Sequence, residues 1–108
     1  MIRRLILAAL TCALVSGFGA ARADAQAGRT KARMCAVCHG EFGISVLPNA
    51  PNLAGQQEIY LAEQLKAYRS GKRSDETMSV VAKPLTDADI ADLTAWYSSI
   101  TIEVKPPK

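Results

Sequence analysis

Five consecutive residues, Cys35-Ala36-Val37-Cys38-His39, constrain this chain more than any other feature. They include the only histidine of the 108-residue sequence and two of its three cysteines. On a helical turn, residues three positions apart lie on the same face, so both thiols can reach one flat group. A Cys-x-x-Cys-His sequence is typical of covalent haem attachment. The adjacent His39 can then donate its imidazole to the iron.

Three other uses of two close cysteines fit this sequence poorly. A structural zinc site takes four ligands, and beyond residue 39 the sequence has no further cysteine or histidine. A redox dithiol of the thioredoxin kind belongs with alternating strands and helices, and no segment here predicts a strand. A disulfide between Cys35 and Cys38 would close a very small loop. Covalently bound haem c, one group per chain, is therefore the predicted cofactor.

The first 25 residues have the composition of an export signal. Residues 1–4 form a basic head, and residues 5–21 are apolar or small and carry no charge. Two small-x-small sequences follow, Ala21-Arg22-Ala23 and Ala23-Asp24-Ala25, of the kind that signal peptidase cleaves. A retained anchor is the alternative, but the apolar run falls short of the ~20 residues that a spanning helix needs. We therefore expect a cleaved signal peptide over residues 1–25, cut after Ala23 or Ala25, and a periplasmic protein.

Removal of this leader changes the charge of the chain. The full sequence has a net charge of +3. Cleavage after Ala25 removes three arginines and one aspartate, which lowers the net charge to about +1. A nearly neutral domain lacks the basic surplus of nucleic-acid-binding proteins, so no nucleic-acid partner is expected. The remaining domain is small, and such domains often depend on a cofactor for part of their stability.

The second ligand of the iron can be sought by elimination. Electron-carrying haem proteins often pair histidine with methionine, which raises the reduction potential. Of the three methionines, Met1 lies in the leader and Met34 precedes Cys35, on the same side as His39. Met78 is far enough along the chain to return to the opposite face of the haem. The alternatives left open are a methionine that only fills the core, a lysine at position 72 or 83, and an iron without a sixth ligand.

Hydrophobic periodicity predicts an all-α fold of about four helices and no strands. The predicted helices cover residues 27–38, 56–70, 78–83 and 86–100. Gly40 and Gly71 are placed to end the first and second helices, and Thr86 to begin the last. Small residues in the first helix, Gly28 among them, predict a close helix crossing. The loop over residues 41–55 is unusually long for so small a domain unless it wraps around something.

Apolar side chains recur on one face of each of the two long helices. They are Leu61, Leu65 and Tyr68 in the second predicted helix, and Ile90, Leu93, Tyr97 and Ile100 in the last. Tyr60 lies beside the first of these faces, and both Tyr60 and Tyr68 are expected to pack in the core. Three aspartates, Asp87, Asp89 and Asp92, occupy the other face of the last helix and are expected to be solvated.

Taken together, these segments resemble the class I c-type cytochromes, most closely the small bacterial types called c-four and c-five-five-three. The matching segments are Cys35-Ala36-Val37-Cys38-His39-Gly40, Pro51-Asn52-Leu53-Ala54-Gly55-Gln56, Tyr60-Leu61, Gln64-Leu65, Gly71-Lys72-Arg73 and Leu85-Thr86-Asp87. The resemblance covers nearly the whole chain after the leader. The attachment motif is highly specific, whereas the helix patterns are weak when taken singly.

The resemblance implies an all-α fold, over residues 26–101, in which the first and last helices cross near one haem edge. It implies thioether bonds at Cys35 and Cys38, with His39 as proximal ligand and Met78 as distal ligand. It also implies that the Pro51 carbonyl accepts a hydrogen bond from the other nitrogen of His39, which would fix the ring. Pro51 and Leu53, with Leu65 and Leu85, are expected to line the haem pocket. Residues 102–108 are expected to form an extended tail.

A single-electron carrier, rather than an enzyme, is the function that the resemblance implies. Its partners would be redox proteins that give and take one electron, including a membrane oxidase or reductase. The first alternative is a cytochrome subunit of a larger periplasmic dehydrogenase, such as a flavoprotein or a sulfur-oxidising enzyme. A ligand-binding or peroxidatic haem protein is the second alternative, and it requires an open position on the iron.

Overall fold

The computed structural model describes residues 22–108, and this part of the chain contains five α-helices and no strands. They are α1 (Ala25–Lys31), α2 (Ala36–His39), α3 (Glu58–Ser70), α4 (Met78–Ala82) and α5 (Asp87–Ser99). The predicted all-α fold is confirmed. The basic head and the apolar segment of the predicted leader lie outside the described residues. Among residues 22–108, no helix is long and apolar enough to cross a membrane.

The first predicted helix is divided into two. After α1 ends at Lys31, the backbone turns more tightly, with hydrogen bonds from Arg33 N to Thr30 O and from Cys35 N to Ala32 O. These bonds span three residues rather than four, as in the tighter 3₁₀ conformation. The chain then enters α2, which ends at Gly40 as the sequence predicted. Cys35 lies just before α2 and Cys38 within it, so the two thiols still share one turn.

The close crossing predicted for the first helix occurs between α1 and α5. Gly28 is buried in this crossing. A Cβ atom added to Gly28 would lie 1.9 Å from the backbone oxygen of Asp92 and 2.8 Å from Cβ of Trp96. Real Cβ atoms do not approach a backbone oxygen so closely, so only glycine allows the two helices to pack at this distance.

The Gly28→Ala variant should therefore be destabilised although alanine is the better helix former. Helix propensity favours alanine by about 0.5–1 kcal/mol. The clash with the α5 backbone opposes this gain, and overpacking of this kind costs about 1–3 kcal/mol or more. Chemical denaturation of the haem-loaded protein should show a lower unfolding midpoint. Thr30→Ala, an exposed change on the same helix, is the control and should leave the midpoint nearly unchanged.

The last helix begins and packs as the sequence predicted. The Thr86 hydroxyl accepts from Asp89 N at 3.0 Å, and the Asp89 carboxylate accepts from Thr86 N at 3.0 Å. This reciprocal pair is a capping box. Further along α5, Ile90, Leu93 and Tyr97 are buried and face the other helices. A cluster of Ala32, Leu61, Leu93 and Tyr97 forms the centre of the core.

The expectation for Tyr60 was wrong, and that for the aspartates of α5 was right only in part. Tyr60 is 46% exposed, because it lies one residue before the buried Leu61 and therefore about 100° around α3. Asp87 is solvated as expected, with 81% of its side chain exposed, whereas Asp89 and Asp92 are partly buried, and all three aspartates are paired. Lys31 forms salt bridges with Asp89 at 2.9 Å and with Asp92 at 2.7 Å, and Arg69 forms one with Asp87 at 2.6 Å. These partners come from α1 and α3, which the sequence of α5 alone does not reveal.

Candidate functional site

His39 is the last residue of α2, and its side chain is buried. Its Nδ1 lies 2.8 Å from the carbonyl oxygen of Pro51. A carbonyl oxygen can only accept, so the Nδ1–H group is the donor. This hydrogen bond fixes the imidazole plane and leaves Nε2 as the nitrogen with a free lone pair. The contact between His39 and Pro51 that the resemblance implied is thus present in the structure.

The loop over residues 41–55 holds Pro51 in this place. Val46 N donates to the carbonyl oxygen of Cys38 at 3.2 Å, and the Ser45 hydroxyl lies 3.2 Å from the same oxygen and 2.6 Å from the carbonyl oxygen of Leu47. Ser45 N in turn donates to the Asn52 side chain at 2.7 Å. These bonds join the middle of the loop to the attachment turn and to Asn52, the residue after Pro51. The loop is therefore tied to the site by hydrogen bonds.

A glycine makes the path of this loop sterically feasible. Gly43 has a φ of +75°, and a Cβ there would lie 2.7 Å from Ala54 N. Its carbonyl oxygen accepts from Leu53 N at 2.7 Å and from Ala54 N at 3.0 Å. The loop segments around Gly43 and Ala54 thus approach each other too closely for any side chain at residue 43. This approach places the half-buried Leu53 against the core.

Cys35 and Cys38 are both half-buried, and Cys35 packs against the core cluster. Burial raises the pKa of the Cys35 thiol, and this effect outweighs its interaction with Tyr97. A redox dithiol instead relies on a lowered thiol pKa, because the thiolate is the reacting species. The environment of Cys35 therefore disfavours disulfide exchange and suits a sulfur that is permanently bonded to an apolar group.

Met78 is half-buried and begins α4. Its backbone amide donates to Oδ1 of Asp75 at 2.8 Å, and the Thr77 amide donates to the same oxygen at 2.9 Å. The amide of Asp75 donates to the Ser79 hydroxyl at 3.0 Å. The Asp75 side chain thus fixes the backbone from which the Met78 thioether extends.

Asp75 is a site residue that the sequence analysis missed. The amides of Met78 and Thr77 hold the pKa of its carboxyl below the usual value, because they stabilise the charged form. The available signal was an aspartate three residues before the short predicted helix, a residue type that commonly accepts hydrogen bonds from the first helical amides. Because Asp75 lies two residues before the helix cap rather than at the cap itself, its role was not recognised.

The Asp75→Ala variant should hold Met78 less firmly. Loss of the carboxylate leaves the amides of Thr77 and Met78 without their acceptor, so the start of α4 is held less firmly. If Met78 binds the iron, external imidazole should displace it from the ferric protein several-fold more readily. Titration with imidazole in the visible range measures this. Glu76→Ala removes a neighbouring exposed acid and should change nothing.

The residues of the site suit a covalently held haem. They offer two thiols on one turn, an imidazole whose outer nitrogen is free, and a thioether on a fixed backbone. Leu53, Leu65 and Leu85 are only partly buried and pack against the core. Pro51 is exposed apart from its contact with His39. Within residues 22–108, no group of three or more His, Cys, Asp or Glu side chains could hold a metal ion instead.

Comparison with known proteins gives a consistent result. The cytochrome c family model matches residues 25–101. Cytochrome c4 of Pseudomonas aeruginosa is 39% identical over 101 residues, which are 94% of this chain and 50% of that protein. Cytochrome c-554(548) of Halomonas halodenitrificans is 46% identical over 79 residues, 70% of this chain and 95% of the relative. A thiosulfate dehydrogenase electron acceptor of Thiomonas intermedia is 38% identical over 105 residues, 96% of this chain and 47% of the relative.

The fold also matches a solved structure. Reduced recombinant cytochrome c4 from Pseudomonas stutzeri superimposes with a TM-score of 0.69 at 39% sequence identity. The match covers 73% of this chain and 46% of that protein. This chain therefore spans about half the length of the c4 relatives, but it corresponds to nearly the whole of the Halomonas protein.

Proposed function

This chain belongs to the cytochrome c family and carries haem c covalently through Cys35 and Cys38, and we propose that it is a periplasmic single-haem carrier of single electrons. Its all-α fold is the class I cytochrome c fold, as the resemblance implied. The haem supplies a centre that accepts and releases one electron. The polypeptide binds this group, excludes water from it and presents it to partners.

The orientation of His39 is the observation on which the proposal mainly depends. With Nδ1–H donated to Pro51 O at 2.8 Å, only Nε2 remains for the iron. The same hydrogen bond increases the electron density of the ring and prevents it from rotating. His39 is accordingly assigned as the proximal ligand, and Pro51 as the residue that orients it.

Met78 is assigned as the distal ligand. A neutral thioether favours the reduced iron and so raises the reduction potential. The Asp75 contact at 2.8 Å holds the backbone amide of Met78. Leu53, together with the half-buried Leu65 and Leu85, is assigned to the apolar pocket that keeps water away. A closed pocket with two protein ligands suits electron transfer better than catalysis at the iron.

Redox partners would dock on exposed apolar residues beside the attachment turn. Val37 is 73% exposed, and Val46 is 66% exposed and hydrogen-bonded to the carbonyl oxygen of Cys38. Leu47 extends the same surface. Exposed apolar groups of this kind commonly mark a protein contact site. An electron could pass through this surface to a dehydrogenase, oxidase or reductase.

Export is part of the same proposal. Residues 1–25 would direct the chain across the bacterial inner membrane and be removed there. Residues 26–101 would form the haem domain. Residues 102–108, which are exposed and have no helix or strand, would remain as a tail.

Protein-film voltammetry tests the carrier function. The isolated protein should give one reversible one-electron wave, and added hydrogen peroxide should leave the peak currents unchanged. A catalytic current that grows with peroxide would instead establish a peroxidatic haem protein. Two resolved waves would contradict a single haem.

A role as the electron-accepting subunit of a periplasmic dehydrogenase is the second candidate. The Thiomonas relative, whose name describes an acceptor for thiosulfate dehydrogenase, matches 96% of this chain. The exposed tail offers a segment for such an assembly. Co-purification with a second chain in equal amounts would favour this subunit role. A monomer on gel filtration of the periplasmic extract would favour the free carrier.

A further inference from the structure

Asp24 forms hydrogen bonds with both α1 and α5 at the point where these helices cross. Its amide donates to Oδ1 of Asp92 on α5 at 2.8 Å, and its carbonyl oxygen accepts from Gly28 N at 2.9 Å. Its carboxylate accepts from Gln26 N at 2.8 Å and Ala27 N at 3.2 Å, which caps α1. Residues 22 and 23, by contrast, are exposed and lie outside any helix.

The Asp24 nitrogen also faces an excess of negative charge. Asp89 and Asp92 on α5 share the ammonium group of Lys31, at 2.9 and 2.7 Å, and Asp24 itself carries a carboxylate, which accepts from the amides of Gln26 and Ala27. The Asp92 side chain is only 15% exposed, so solvent screens its charge incompletely. A positive charge on the Asp24 nitrogen would balance this cluster better than a neutral amide does.

We propose that signal peptidase cuts between Ala23 and Asp24, and that the ammonium group released on Asp24 forms an ion pair with Asp92 that joins α1 to α5. Hydrolysis consumes one water and leaves a carboxylate on Ala23 and the ammonium group on Asp24. The sequence that directs this cut is Ala21-Arg22-Ala23. A cut after Ala25 would discard Asp24 together with its bonds to Asp92, Gln26 and Ala27. Cleavage at either place presupposes the export proposed above.

N-terminal sequencing and intact mass of the haem-loaded protein from the periplasm test the cut. The expected first residue is Asp24. A start at Gln26, or at any other residue of a shortened chain, would overturn this site and leave export standing. A haem-loaded protein that still begins at Met1 would overturn the signal peptide itself. Ala25→Gln blocks only the later cut, so the start at Asp24 should persist, and loss of that start would also contradict the site.

The ion pair has a separate readout in the titration of the new terminal amino group. An unperturbed α-amino group has a pKa of about 7.7–8.0. Asp92, Asp89 and the Asp24 carboxylate raise it, whereas Lys31 and the positive N-terminal end of α1 lower it. Because Asp92 is in direct contact with this nitrogen at 2.8 Å, we expect a value above this range by NMR. Asp92→Asn should lower the pKa. Asp87→Asn, which affects a residue paired with Arg69 instead, is the control and should not. Equal values in the wild type and Asp92→Asn would overturn the ion pair.

Discussion

The Met78→Ala variant should lose the weak red absorption band of its ferric haem and bind carbon monoxide when reduced. Removal of the thioether would open the proposed distal position and take away the proposed ligand that favours reduced iron. We expect the reduction potential to fall by at least about 60 mV, which is tenfold in a one-electron equilibrium. Visible spectra of both oxidation states and equilibrium redox titration measure these changes.

Met34→Ala is the matched control for this experiment. Met34 is 58% exposed and directly precedes the attachment turn. Its replacement should leave the red band, the potential and the response to carbon monoxide unchanged. Survival of the red band in Met78→Ala would show that Met78 is not the ligand. A lysine ligand would then be tested next.

The Cys35→Ala/Cys38→Ala double variant should retain no haem after denaturation and should be far less stable. Without the cofactor, the partly buried Leu53, Leu65 and Leu85 lose the apolar group that they are proposed to line. Full burial of one leucine side chain is worth about 1.5–3 kcal/mol. If the free energy of unfolding falls by about 3 kcal/mol, Tm falls by roughly 12–24 °C in a domain of this size. Haem staining of denaturing gels and thermal unfolding by circular dichroism measure both effects.

The single Cys35→Ala variant separates attachment from core packing. It makes the same change in the core as the double variant but keeps the Cys38 thioether. It should stain for haem on a denaturing gel and unfold at an intermediate temperature. Haem that remains on the denatured double variant would contradict attachment at these cysteines. A double variant with the wild-type Tm would contradict stabilisation by the cofactor.

The sequence was most informative where a local rule determines the structure. Gly40 and Gly71 end α2 and α3, and Thr86 begins α5, as predicted, because each signal acts within one helical turn. The buried face of α5 also follows from its own periodicity. The division of the first helix was not predicted, since residues 32–35 have ordinary helical composition and the tighter bonds depend on the surrounding fold.

Tertiary contacts explain what the sequence did not reveal. Asp92 was assigned to a solvated face because its partner Lys31 lies 61 positions earlier and meets it only where α1 crosses α5. Tyr60 is expected in the core because aromatic residues at helical spacing usually pack there, yet it lies about 100° around α3 from the buried Leu61 and is 46% exposed. Asp75 reaches Met78 only through the conformation of the preceding loop. By contrast, the cysteines and His39 were evident at once, because their chemistry depends on adjacent positions.

The most direct test of a closed, His39- and Met78-ligated haem is a visible spectrum of the purified wild-type protein, recorded oxidised, reduced, and reduced under carbon monoxide. The ferric protein should show the weak red band of methionine ligation, and carbon monoxide should leave the reduced spectrum unchanged. Absence of the red band, together with a rapid change of the reduced spectrum under carbon monoxide, would contradict this ligation and indicate an open iron.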